Sequence, residues 1–94
     1  MFRHVAVITF KPEVSDEGIA AMAKALLAIR TPGMISLSCG RDYGYRGSAH
    51  FAVVGDFDSL EAYKTFSDSE AHKAYREQHS SQIVATAVVV QYES

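Results

Sequence analysis

Three segments of this chain, Arg3 to Phe10, Ala49 to Phe57 and Ile83 to Tyr92, are apolar at odd and even positions alike, and no other feature restricts the fold as much. A strand points successive side chains to opposite faces, so a sheet covered on one side alternates apolar and polar residues. Here His4, Ala6, Ile8 and Phe10 share one face of the first segment while Val5 and Val7 share the other. Phe51, Val53 and Phe57 oppose Ala52 and Val54, and Ala85, Ala87 and Val89 oppose Val88 and Val90. A sheet built from these strands needs a cover on both sides.

The rest of the chain supplies one cover. Ser15 is placed to cap a helix, with Asp16 and Glu17 in its first turn, where carboxylates meet the positive end of the helix dipole. Ile19, Met22, Ala23, Leu26 and Ile29 then recur at helical spacing, until Thr31-Pro32-Gly33 closes the helix. A fourth strand is expected over Met34–Arg41, joined to the Ala49–Phe57 strand by the Gly-rich connection Asp42-Tyr43-Gly44-Tyr45-Arg46-Gly47-Ser48. Asp58 and Glu61 resemble a capping box that opens a second helix through Leu60, Tyr63 and Phe66. Ser67-Asp68-Ser69 breaks that helix, and Glu70 to His79 resumes it.

Two β-α-β units around a hairpin predict one α+β domain over residues 1–94, a ferredoxin-like βαββαβ fold with a four-stranded antiparallel sheet. Both helices then lie on one face. The other face is an apolar patch of several hundred Å², larger than monomers usually leave exposed. Burying about 600 Å² of it per subunit contributes on the order of 15 kcal/mol before the cost of association. A two-fold homodimer is the simplest closure.

Composition narrows the partners. A net charge of −2 offers no basic stripe for nucleic acid. The apolar run after Met1 is about eight residues, where a bilayer needs roughly 20, so neither a membrane partner nor a targeting segment is expected. Cys39 is the only cysteine, which excludes an intrachain disulfide and a thiolate metal cluster and fits a reducing cytoplasm. His72 and His79, seven apart, are badly spaced to share an ion, and no metal or other cofactor is expected.

The histidines carry the chemistry. An imidazole titrates near neutrality and can take a proton from a carbon beside a carbonyl and return it. His72 follows the break in the second helix and shares a helical face with Tyr75 and His79. His4 opens the first strand and His50 the third. These strands are expected to be adjacent and antiparallel, which places His4 and His50 roughly 20 Å apart, too far to serve one reacting atom. A lone histidine on an apolar strand face is more often a satisfied core residue than a catalytic one, and one near a helix start is more often a solvated or capping group.

Several stretches together resemble the stress-responsive A/B barrel (Dabb) family. They are Arg3-His4-Val5, Phe10-Lys11-Pro12-Glu13-Val14-Ser15, Pro32-Gly33, Gly40-Arg41, Ala49-His50-Phe51-Ala52-Val53-Val54, Ala71-His72 and Val88-Val89-Val90-Gln91-Tyr92. The resemblance runs in order over essentially the whole chain. It implies a ferredoxin-like subunit whose two-fold dimer brings sheet against sheet as a dimeric α/β barrel. It also implies a pocket between each sheet and its own helices. A plant polyketide cyclase of the family performs a cofactor-free aldol cyclisation with a helix histidine as base, and that histidine corresponds to His72. His4 corresponds to a pocket histidine. The tyrosine that assists the base is replaced by Phe66, and the family's His-Pro-Ala-His run is Ser69-Glu70-Ala71-His72 here.

His72 and His4, by this resemblance, and His50, from its place at the start of the third strand, are the candidate catalytic groups. The candidate pocket comprises Ala6, Ile8, Met22, Leu26, Ala52, Phe66, Ile83 and Val88, taking a small apolar or aromatic molecule. Three functions remain open: a cofactor-independent cyclase or lyase acting on a small carbonyl compound, a non-catalytic stress-responsive binding module, and a cofactor-free monooxygenase.

Overall fold

The computed structural model describes residues 1–94. Strand β1 (Phe2–Phe10) leads to helix α1 (Asp16–Leu27), then β2 (Met34–Arg41) and β3 (Phe51–Phe57). Helix α2 (Leu60–Ser67) and helix α3 (Glu70–Tyr75) follow. The chain runs on from α3 through a π turn at Arg76–Ser80 and a last helical turn at Ser81–Ile83 into β4 (Val84–Glu93). The sheet has the order β2-β3-β1-β4, and every neighbouring pair is antiparallel. This is the ferredoxin-like α+β fold expected from the element order.

The register sorts the two apolar faces. Ala6, Ile8 and Phe10 of β1 and Phe51, Val53 and Phe57 of β3 are buried beneath Ile19, Met22 and Leu26 of α1 and Phe66 of α2. Met22 and Phe57 have no exposed surface, and each such burial contributes about 1.5–3 kcal/mol. On the opposite face Val7 pairs with Ala52 on one side and Val88 on the other, while Val5 pairs with Val54 and Val90. Val88 and Val90 remain 69% and 56% exposed, so this face lies open in the subunit. At one end of it the Arg3 guanidinium grips the Asp56 carboxylate at two points, 2.7 and 2.9 Å.

Local chemistry explains the boundaries. Ser15 caps α1 by accepting from the Gly18 amide at 2.9 Å. The cap of α2 is Ser59, which accepts from the Ala62 amide, and not Asp58 as the sequence pattern suggested. A hydroxyl one residue later reaches the same orphan amides, so two adjacent cap residues compete and the loop geometry decides. Helix α1 ends at Leu27, earlier than its apolar spacing implied, yet Ile29 still packs into the core from beyond it. Strand β3 begins at Phe51, which leaves Ala49 and His50 in the connection. At the turn before β2, Gly33 has φ +83°, and a Cβ there would meet the Ala62 Cβ at 2.5 Å. That glycine lets the loop lie directly against α2.

Candidate functional site

Between the sheet and helices α2 and α3 lies a cavity of about 450 Å³, a size suited to a small organic ligand. Its floor is Ala6 and Ile8 of β1, Val53 of β3, Leu37 of β2, and Val84, Ala87 and Val89 of β4. Leu26, Phe66 and Tyr75 add apolar walls. The polar groups facing it are few: His4, His72, Tyr63, Arg76, Ser80 and Ser81. No acidic side chain lines it.

Two imidazoles from distant parts of the chain therefore meet one apolar space. His4 is half-buried on the helix-covered face of β1, and its ring stacks on Tyr63 of α2 with centroids 4.8 Å apart and planes 24° from parallel. Its Nδ1 lies 2.8 Å from Gln91 Nε2. An amide nitrogen donates, so Nδ1 accepts and the neutral ring carries its proton on Nε2. His4 is thereby set up as a hydrogen-bond donor.

The placement of His72 begins with the break in the second helical segment. Asp68 ends α2, and Ser69 starts α3 as its N-cap. The Ser69 hydroxyl donates to the Phe66 carbonyl at 2.7 Å and accepts from the His72 amide at 3.1 Å. His72 is thus fixed in the first turn of α3, with its ring edge-on to Phe66 at 4.9 Å and beside Tyr75 at 5.4 Å. Arg76 Nη1 lies 3.0 Å from His72 Nδ1. A guanidinium can only donate, so this contact also places the neutral ring's proton on Nε2.

Both imidazoles are held uncharged at neutral pH. Burial lowers His4 below the ordinary histidine range. Burial, then the Arg76 charge, then the neighbouring His4 push His72 down to about 4. Burial also raises the Tyr75 phenol and the Cys39 thiol, so neither is an anion at neutral pH. No group of three His, Cys, Asp or Glu residues is arranged to hold a metal ion.

Of the candidates from the sequence, His4, His72, Ala6, Ile8, Leu26 and Phe66 line this cavity. His50 does not. It is exposed near the far end of β1, where its Nδ1 accepts from the Phe10 amide at 2.9 Å and its ring stacks on Phe10 at 6.0 Å. Ala52 and Val88 also fall outside, because the register with Val7 turns both to the open face. The neighbouring residues Val53, Ala87 and Val89 take their places. Met22 is sealed in the core without exposed surface, and Ile83 packs against that core from its edge.

Tyr63, Arg76 and Ser80 were not foreseen. Tyr63 and Phe66 are three residues apart on one helical face, and that spacing was legible. The π turn was not. Its wider winding slips the helical register by about one residue, so Ser80 faces the cavity where a regular helix would have presented His79.

Comparison with known proteins agrees with this architecture. Residues 2–94 match the family described as Stress responsive A/B Barrel Domain, Dabb. A dimeric ferredoxin-like protein of unknown function from Thermobifida fusca is 26% identical, with a TM-score of 0.87 over 99% of this chain and 90% of that one. A Dabb family protein with a ferredoxin-like fold from Mesorhizobium loti is 23% identical, with a TM-score of 0.78 over 99% and 95% of the two chains. A hydroxynitrile lyase from Passiflora edulis is 19% identical, with a TM-score of 0.80 over 97% and 90%. No functionally curated protein matches the chain. With a match over nearly its whole length and the fold to go with it, the chain belongs to the stress-responsive A/B barrel (Dabb) family.

Proposed function

We propose that this protein is a cofactor-independent acid–base catalyst, a cyclase or lyase, acting on a small carbonyl compound with an apolar or aromatic body. The observation that carries the reading is the pair of imidazoles, His4 and His72, lining one apolar cavity, each with its Nδ1 accepting a hydrogen bond. A carbonyl oxygen that accepts from His4 Nε2–H is polarised there. His72, once a ring nitrogen is free, takes a proton from the adjacent carbon. The C–H electron pair becomes an enolate whose oxygen is held by the same donor. In a cyclisation that pair forms a new C–C bond to a second carbonyl carbon of the same molecule. The second carbonyl's π electrons move to its oxygen, which recovers the proton from the His72 imidazolium. Nothing is oxidised and no water is consumed.

Several observations support this reading. A hydroxynitrile lyase is built on the same fold. No acidic side chain lines the cavity to compete for the imidazole protons. The apolar open face, with Val7, Val88 and Val90 exposed, supports a homodimer like the one described for the Thermobifida fusca protein.

The test is exchange of the α-protons of phenylacetone in D2O, followed by NMR. The wild-type protein is expected to accelerate exchange, and His72→Ala to slow it by about 10²-fold or more. Full exchange activity in folded His72→Ala would refute the assignment. A second reading, a binding module without turnover, draws on the Arg76 contact, since an imidazole protonated on Nε2 and accepting on Nδ1 has no free lone pair with which to abstract a proton. It predicts saturable binding of phenylacetone with no exchange above background.

A further inference from the structure

Arg76 stands out among the groups lining the cavity. It begins the π turn, its side chain is largely exposed at the cavity wall, and it forms no ion pair, whereas Arg3 and Arg41 each hold a carboxylate. Its partners are the His72 ring nitrogen at 3.0 Å and the Ser67 carbonyl at 3.5 Å, so most of its five donors are free. It is the one permanently charged side chain in a cavity whose other polar members are hydroxyls and neutral imidazoles. An anion entering there meets a cation and no like charge.

We infer that Arg76 is a carboxylate-binding group of this pocket, and that a carboxylate on the ligand draws the guanidinium away from His72 Nδ1 and frees that lone pair. The inference rests on the proposed ligand pocket and adds the ligand's class: an apolar or aromatic body with a carboxylate at the end nearest α3. Its physical basis is a difference between two acceptors. A neutral imidazole offers one lone pair, whereas a carboxylate offers two oxygens in the spacing of the guanidinium fork, together with a full opposite charge. Binding of the anion therefore outcompetes the resting contact. Burial remains the larger restraint on His72; the anion neutralises the smaller contribution of the Arg76 charge and holds open a lone pair that a neutral ligand meets free only part of the time. The other groups facing the ring are His4 from β1, Tyr63 and Phe66 from α2, and Tyr75 from its own helix, and no carboxylate side chain is among them.

The experiment uses protein labelled with 15N at the imidazoles and two probes of one shape, phenylacetate and phenylacetamide. In the free protein the His72 resonances are expected to show the Nε2–H tautomer. Phenylacetate is expected to shift the His72 titration to higher pH and to bind about tenfold more tightly than phenylacetamide. In Arg76→Gln the two probes are expected to bind alike, while Arg76→Lys retains part of the preference for the anion. Equal affinities for the two probes in the wild type, with both perturbing His4 and His72, would overturn the role of Arg76 and leave the pocket standing. If neither probe perturbs either histidine, the pocket reading and this inference both fall. Because Arg76 is exposed, loss of fold is not expected, and an unchanged far-UV spectrum checks it.

Discussion

At the scale of single residues, the two cavity histidines couple stability to pH. In the unfolded chain a histidine takes up a proton near its ordinary value of 6.5, while folded His72 resists until about 4, and His4 is shifted in the same direction. As pH falls through this window the unfolded state binds more protons than the folded one, so stability declines with acidity. Above pH 7 both states are neutral at these sites and the effect vanishes. The urea midpoint is therefore expected to fall between pH 7 and pH 5 in the wild type and to fall less in His72→Gln. An identical pH dependence in the variant would show that His72 is not held neutral by folding. Asp56 is lowered chiefly by its bond from Arg3, with a smaller contribution from Ser36, and its loss of stability comes below the ordinary carboxylate value of 3.8, outside that window.

At the scale of elements, the decisive feature is the break between α2 and α3. Continuous winding through Ser67-Asp68-Ser69 would carry His72 around the helix by 100° per residue, whereas the break restarts the helix with Ser69 as its cap. Ser69 therefore acts on His72 from outside the cavity, as a positioning residue. Ser69→Ala is expected to cost about 1 kcal/mol of stability, as loss of a cap does, and to lower the kcat of α-proton exchange more than it changes KM. Ser69→Thr, which keeps the hydroxyl, is expected to recover most of both. A stability loss with unchanged kcat would reduce Ser69 to a structural cap. The π turn that follows has a similar effect on Arg76 and Ser80, which reach the wall of the cavity together.

At the scale of the whole molecule, the two faces of the sheet divide the labour. The helix-covered face holds the core and the cavity, and the open face presents Val5, Val7, Ala52, Val54, Val88 and Val90. The homodimer proposed above would pair these faces, on the side of the sheet away from the cavity. Val88→Asp is expected to shift the protein from dimer to monomer in size-exclusion chromatography with light scattering, since a carboxylate there would be buried unpaired. A monomeric wild type, or a variant that remains fully dimeric, would show that this face is not the interface. Phe51 and Val53, although apolar and next to open-face positions in sequence, belong to the core on the other side. Truncating Phe51 to Ala is expected to cost about 3–5 kcal/mol through a core cavity, whatever the oligomeric state.

What the residues alone determined is the element order, the broken second helix, the Ser15 cap and the presence of two apolar sheet faces. Each follows from local propensity or from the two periods, 2.0 and 3.6, that chain geometry imposes. Which face the helices cover was not legible in β3 and β4, because a strand apolar on both sides gives no parity signal; hence Ala52 and Val88 were expected in the cavity and lie outside it. The separation of His50 from His4 followed from topology. The Tyr63 stack on His4 and the Arg76 contact on His72 did not. They depend on helix placement over the sheet and on a π turn, both set by packing between segments far apart in the chain. That packing alone brought His4 and His72, 68 positions apart in the sequence, to one cavity.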